Sequence, residues 1–298
     1  MTARCGIVTL VGWTNVGKST LLNRLIGERI AAVADVAQTT RTRVLGIWND
    51  DFECQWLFLD TPGFHRPRHR MNRIMVRTAT ESLREADAVF HLVDASKGVG
   101  PGDRETAERL RVLDLPVATV LNKVDRVTPK SKLLPMMQAL QALNPEGEVF
   151  PISATTGEGV DRLVERARRW LPDGPPRFDA EQWTDQPERA LAAEYIREEV
   201  LHRTREELPH VTAVHLDRWE EEEEGEGLLR IHARIVVDRD SQKGIVIGKG
   251  GERLKAIGTA ARLAIESLLG RRVHLQLWVA VVPGWRDDRT KLREFGLT

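Results

Sequence analysis

The stretch "GWTNVGKS", Gly12 to Ser19, constrains this chain more than any other. It satisfies G-x-x-x-x-G-K-[ST], follows the strand-like "CGIVTLVG" and opens the helical "KSTLLNRLIG". In that setting the backbone N–H groups from Asn15 to Ser19 converge on phosphate oxygens, and the helix N-terminus adds partial positive charge. Lys18 is placed to reach the β and γ phosphates, and Ser19 to offer its hydroxyl to Mg2+. Gly12, Asn15, Val16, Gly17, Lys18, Ser19 and Thr20 are the expected phosphate-binding residues.

Three further stretches follow in order, each at the end of an apolar run. In "DTPG", Asp60 can hold the magnesium shell and Gly63 can bring a backbone N–H to a γ-phosphate. In "NKVD", Asn122 to Asp125, the Asp125 carboxylate can accept two N–H bonds from a guanine edge. Adenine cannot supply these, and the carboxylate would be left unpaired. Asn122 and Lys123 complete that set. "SAT" at 153–155 can offer a backbone N–H from Ser153 or Ala154 to the guanine oxygen. Each string alone is weak. Four in order, at the carboxyl ends of strands where open α/β sheets bind ligands, specify GTP or GDP. The "AQTTR" segment carries Thr39 and Thr40. A threonine there can join magnesium only while a γ-phosphate is present, which makes an order-to-disorder switch.

The fold class read from the chain is α/β. Strands and helices alternate from residue 4 to 171, which predicts a mostly parallel sheet covered on both faces. "RVLGIW" and "QWLFLD" are separated only by a polar turn, so one edge strand should be antiparallel. "LPDGPPRFDAEQWTDQPE" stops the last helix and reads as an extended linker. The expected domains are 1–173 for the nucleotide unit, 174–187 for the linker and 188–298 for a smaller α+β unit. The latter begins with a long helix, "ERALAAEYIREEVLHRTREEL". The acidic run from Glu220 reads as a solvated hairpin tip. Charge is balanced, 44 basic against 44 acidic residues, so it does not by itself announce nucleic acid. No apolar run approaches the roughly 18 residues of a membrane span. Cys5 and Cys54 fall in apolar strands and read as buried thiols. His65 and His69, among Arg66, Arg68 and Arg70, are a poor metal pair.

A second glycine loop, Gly248-Lys249-Gly250-Gly251, lies between a short apolar helix and a longer amphipathic one. With 23 glycines in 298 residues, about two G-x-x-G matches arise by chance, so the setting must carry the reading. Two strands before the helices and one after give the type II KH arrangement. In a KH module this loop clamps the backbone of about four unstacked nucleotides. Lys243, Lys249, Arg253 and Lys255 are the candidate phosphate contacts, with Gly248, Gly250 and Gly251 allowing close approach. Ile245 and Ile247 are the candidate apolar floor.

With these residues in place the chain resembles the translation-factor-related GTPases, and within them the Era family. The resemblance spans "GWTNVGKS", "QTTR", "DTPGFH", "NKVD", "SAT", the 248–251 loop and the tail "PGWRDD". It implies slow GTP hydrolysis and Ser19, Thr40 and Asp60 around Mg2+, with Lys18, Thr40 and Gly63 as the catalytic set. Position in similar GTPases favours Thr40 over Thr39. It also implies single-stranded small-subunit rRNA near its 3′ end as partner, and a role in assembly of the small ribosomal subunit. Arg286 falls where relatives contact RNA, and Trp285 either joins it or packs. Phe64 stands where many small GTPases carry a water-orienting glutamine. Asn15 either matches an asparagine that holds K+ in some relatives or only stabilises its turn. Thr14 replaces a proline usual in the family. The expected state is a cytoplasmic monomer. Peripheral inner-membrane association follows from the resemblance alone, and nothing in the chain anchors it. Two alternatives remain: an RNA-binding checkpoint factor with negligible turnover, or a tRNA-modification GTPase.

Overall fold

The computed structural model describes residues 3–34, 36, 39–50, 53–64, 69–204, 208–222 and 227–297. The chain divides into two compact units. One comprises residues 1–31, 40–67 and 75–185, the other residues 32–39, 68–74 and 186–298.

In the first unit the elements are β1 (Arg4–Gly12), α1 (Lys18–Ile26), β2 (Val44–Asn49), β3 (Cys54–Asp60), α2 (Arg70–Arg84, whose first turn belongs to the second unit), β4 (Ala88–Asp94), α3 (Pro101–Arg111), β5 (Val117–Asn122), α4 (Leu133–Leu143), β6 (Glu148–Pro151) and α5 (Val160–Ala167). The strands lie in the order β2-β3-β1-β4-β5-β6. Among the named strands of this sheet in the described residues, β2, at the edge, alone runs antiparallel to its neighbour. Every residue of β3 and β4 is buried, which is why both read as unbroken apolar runs. Their ends carry Asp60 and Asp94, so the charged groups emerge at the carboxyl edge of the sheet.

The Pro/Gly-rich stretch after α5 is tied along β2. Ile47 N–H donates to the Trp183 carbonyl at 3.0 Å, and Thr184 Oγ1 donates to the Leu45 carbonyl at 2.7 Å. Buried Gln55 accepts from Arg177 and Phe178 N–H at 2.6 and 3.0 Å and donates to the Phe178 carbonyl at 2.9 Å. The strap thereby covers a strand edge that would otherwise offer unpaired backbone groups.

The second unit holds α6 (Glu188–Arg203), α7 (Leu208–Val211), β7 (Ala213–Glu221), β8 (Leu229–Val237), α8 (Asp240–Ile247), α9 (Glu252–Leu269), β9 (Val273–Val281) and α10 (Arg289–Glu294). The sheet order is β7-β8-β9, with β7–β8 antiparallel and β8–β9 parallel. This is the KH arrangement. Its core joins Tyr195, Ile196 and Val200 of α6 to Ile231 and Ile235 of β8, Val246 of α8, and Ile257, Ala261 and Ile265 of α9. The long first helix is shorter than its sequence pattern predicts. Buried Thr204 has an extended backbone, and its hydroxyl donates to the Val200 carbonyl at 2.7 Å. A side chain thus takes the bond that the next helical N–H would make. The acidic tip beyond Glu222, His65 and its arginine neighbours Arg66 and Arg68 lie outside the described residues.

His91 lies in the middle of β4, is 2% exposed, and has no hydrogen-bond partner at Nε2. Burial alone pushes its pKa down from 6.5 to about 4. The folded value lies below the unfolded one, so the unfolded chain binds the extra proton as pH falls through that window. Stability is full above about 6.5 and is lost toward pH 4. His91→Leu should remove roughly 3 kcal/mol of the stability difference between those two pH values, read as the difference between wild-type and variant urea melts.

Candidate functional site

The four motifs meet at the carboxyl edge of the first sheet. Gly17 opens α1 with φ 99°, in the left-handed region. A Cβ there would sit 2.3 Å from Asn122 Nδ2, so glycine is required twice over, by backbone and by space. Asn122 is 1% exposed and binds both ways. Its Nδ2 donates to the Val16 carbonyl at 2.8 Å, and its Oδ1 accepts the Ala154 N–H at 2.9 Å. One side chain therefore fixes the phosphate loop against the loop after β6. Lys123, at φ 65°, donates to the Asn15 carbonyl at 2.6 Å and to Asp94 Oδ2 at 2.8 Å. Arg24 on α1 donates to the Ala154 carbonyl at 2.6 Å.

Asp94 was not singled out from sequence. Burial would raise its carboxyl, but hydrogen bonds from Lys123 and Ser96 outweigh that and hold it below the usual range. The available signal was its place at the end of β4, beside the strand that ends in "NKVD". Asp125 stands exposed just beyond, with its carboxylate open to a base. The Ser153 and Ala154 N–H groups differ from expectation. The first donates to the Glu158 carbonyl at 2.9 Å and the second to Asn122. Here they hold the loop rather than stand open for a guanine oxygen.

Ser19, Thr40 and Asp60 converge. Ser19 Oγ lies 2.6 Å from Asp60 Oδ2 and 2.8 Å from Thr40 Oγ1, and Thr40 Oγ1 is 3.1 Å from Asp60 Oδ2. Thr39 turns the other way and donates to the Val36 carbonyl at 2.8 Å. Lys18 Nζ donates to the Trp13 carbonyl at 3.1 Å. Burial pushes the Asp60 carboxyl up, against the Lys18 charge and the Ser19 and Thr40 hydrogen bonds. Burial likewise pushes the Lys18 ammonium down, against Asp60. Asp60 Oδ1 is buried without a hydrogen-bond partner. Two hydroxyls and a carboxylate with one orphaned oxygen fit Mg2+, which takes hard oxygen ligands and keeps waters of its own. Thr20 is half-buried in the first turn of α1. Gly63 passes so close to the phosphate loop that a Cβ would lie 2.9 Å from Thr14 Cα.

Phe64 N–H donates to the Gly12 carbonyl at 3.2 Å. Its ring packs with Val11, Ala79, Leu83 and Leu110, under the Arg109 guanidinium. The residue at the usual glutamine position is thus a core residue.

In the second unit Gly248, Gly250 and Gly251 all take positive φ between α8 and α9. Lys249 and Lys255 are exposed and Lys243 is half-buried. A groove of about 390 Å³ runs past Gly251, Leu254, Lys255, Gly258, Thr259 and Arg262 to Leu275 and Leu277. Its apolar wall is Leu254, Leu275 and Leu277, not Ile245 and Ile247. Ile245 is 47% exposed on α8, and Ile247 packs against the core. Period-two alternation along β9 puts Leu275 and Leu277 on the helix-facing side and was the missed signal. Arg253 donates to the Ile245 carbonyl and so braces the loop from within. Arg286 lies 3.7 Å from Asp238. Trp285 packs: it is fully buried, and its indole N–H donates to the Val211 carbonyl at 3.1 Å. His69 pairs with Asp287 at 2.9 Å, and no metal-ligating cluster occurs among the described residues.

A family model described as 50S ribosome-binding GTPase matches residues 7–123, and one described as KH domain matches residues 207–286. The chain is 48% identical over 295 residues to GTPase Era of Geobacter metallireducens, covering 99% of this chain and 98% of that one. It is similar to the crystal structure of Era in complex with MgGDPNP and nucleotides 1506–1542 of 16S ribosomal RNA, with TM-score 0.96, 42% identity and 99% of both chains covered. It is similar to the same degree, with TM-score 0.95, 42% identity and 99% of both chains covered, to a point variant of Aquifex aeolicus Era bound to GDP.AlF4−.

Asn122→Ala removes both bonds and leaves the buried Ala154 N–H unpaired. Affinity for GDP and GTP should fall together by about 100-fold or more in an equilibrium nucleotide-binding titration, while the protein stays folded.

Proposed function

The chain belongs to the Era family of GTPases and hydrolyses GTP with Mg2+, and from that premise we propose that it is a nucleotide-gated switch on single-stranded small-subunit rRNA. The rRNA site lies near the 3′ end, and the switch acts in assembly of the small ribosomal subunit. In this reading Gly12, Asn15, Val16, Gly17, Thr20 and Lys18 cradle the phosphates, and Asp125, with Asn122, Lys123, Ser153 and Ala154 around it, selects guanine. Ser19, Thr40 and Asp60 hold the metal. Bound Mg2+ supplies charge neutralisation at the β and γ oxygens. Lys18 and the Gly63 N–H stabilise the charge that develops at the γ-phosphate. The domain limits in this reading are 1–173, 174–187 and 188–298.

The observation that carries the RNA half is the Lys249 loop beside a groove with a leucine wall and a lysine rim. The relative solved with 16S nucleotides supports the choice of RNA. Lys243, Lys249 and Lys255 contact phosphates, and Gly248, Gly250 and Gly251 let them approach. The tRNA-modification reading loses its footing because the second unit is a KH domain. The low-turnover reading is favoured by one observation, the burial of Phe64 in the core, and RNA-stimulated hydrolysis would exclude it. A cytoplasmic, monomeric state belongs to the same proposal. Peripheral membrane attachment rests on family analogy alone, and no described helix is long and apolar enough to cross a membrane.

The test is RNA affinity with GDP, with a non-hydrolysable GTP analogue and with no nucleotide, against a 3′-end oligonucleotide and a scrambled control. Selective, tighter binding with the analogue is expected. Lys249→Glu with Lys255→Glu should reduce the slope of log affinity against log salt by about 1.4, two phosphate contacts on a single strand. An unchanged slope sinks the RNA assignment.

Potassium forms the finer part of the proposal. Asn15 sits at φ 62° with its carbonyl held by Lys123, which leaves its side chain to meet a monovalent cation beside the phosphates. Hydrolysis should run several-fold faster in KCl than in NaCl, and Asn15→Ala should erase the difference. Equal wild-type rates in the two salts would reduce Asn15 to a turn residue.

A further inference from the structure

On one face of the first unit's sheet the apolar core is interrupted. His91 of β4 and Thr119 of β5 are register partners. Strand alternation puts Val89 and Val93 on the same face as His91, and Val117 and Leu121 on the same face as Thr119. Val89 and Val117 pack in one apolar cluster, with Leu110 of α3. Val93 and Leu121 pack in another, with Leu140 of α4. His91 and Thr119 fall between the two clusters, and both are buried.

A cavity of about 480 Å³ opens over that gap. Leu110, Leu113, Leu115 and Leu143 line it, together with His91 and the half-buried Trp170. Its rim carries Arg111, Arg166 and Arg169 against Glu146 and Glu148. Size and lining are those of a small-molecule site, roughly 300–1,000 Å³ with apolar walls and a few polar groups. Two polar atoms of the lining residues have no use within the protein: His91 Nε2 and Arg166 Nε are buried without a hydrogen-bond partner. Such orphaned atoms are rare and costly in a folded chain, and a ligand that meets them recovers the loss. Burial keeps the His91 imidazole neutral at pH 7, so the positive charge of the site comes from the arginines.

The lip of the cavity is built rather than loose. Gln141 Nε2 donates to the carbonyls of Asn144, Pro145 and Gly147 at 3.1, 3.0 and 2.8 Å. A Cβ on Gly147 would lie 2.0 Å from Asn144 Nδ2, so the turn closes only with glycine there. Arg166 pairs with Glu148. Val117 and Glu148 begin β5 and β6, so the cavity lies at the amino ends of these strands, while the nucleotide motifs lie at their carboxyl ends.

We propose that this cavity is a second small-molecule site of the nucleotide unit and that it takes a compact aromatic acid. The ring lies among the leucines and against Trp170, and the carboxylate meets the arginine rim. A hydrogen-bonding group on the ring meets His91.

The test uses the full chain saturated with GDP and Mg2+, with indole-3-acetate as probe and indole-3-acetamide as its uncharged counterpart. Calorimetry gives affinity, and the NMR signals of the His91 ring give location. Indole-3-acetate should bind at one site with a Kd of about 1 mM or below and shift the His91 signals. Leu113→Trp fills the cavity from a half-buried wall position and should abolish binding of both probes. Arg169→Glu, at an exposed position, should weaken the acid by about tenfold and the amide by less than about twofold. GDP affinity should stay unchanged in both variants. If Leu113→Trp does not fold, Arg169→Glu and the His91 signals decide. No saturable binding, binding that leaves the His91 signals in place, or wild-type affinity in folded Leu113→Trp would overturn the proposal. Equal loss of acid and amide in Arg169→Glu would overturn the assignment of an acid.

Discussion

The buried carboxylate of Asp60 is the constraint around which the nucleotide unit is organised. It sits fully buried at the end of β3, and burial presses it toward its neutral form. Groups from the first turn of α1 and from the segment before β2 oppose that pressure. Lys18 comes from the start of α1, Ser19 from the same turn, and Thr40 from the segment before β2. None of the three would be placed by local sequence alone. Even together they leave Asp60 Oδ1 unpaired. That unpaired carboxylate oxygen is the kind of hard ligand a divalent cation takes.

The parallel sheet makes this possible by delivering polar strand ends to one edge. β1, β3, β4, β5 and β6 all run the same way, so Gly12, Asp60, Asp94 and Asn122 arrive together, with Ser153 just past β6. Asn122 then fixes distances that strand pairing leaves loose. Because its amide donates to one loop and accepts from another, the loops at Val16 and Ala154 cannot drift independently. Phe64 has a related structural duty. Its ring anchors the chain after Gly63 in the core, which brings Gly63 against Thr14.

The fold and the nucleotide motifs were legible because their signals are local. Strand and helix periodicity, and motifs at strand ends, need only a few neighbours to make sense. The unread features depend on partners far away in sequence. The strap along β2 rests on Gln55, a polar residue within an apolar strand, which bonds Arg177 and Phe178 far along the chain. The groove wall on Leu275 and Leu277 depends on which face of β9 meets α9. Arg286 looks available in a basic tail and is in fact paired with Asp238. In α6 every residue from Tyr195 to Leu201 is buried, Arg197, Glu198 and Glu199 included, so its charges do not mark a solvated face.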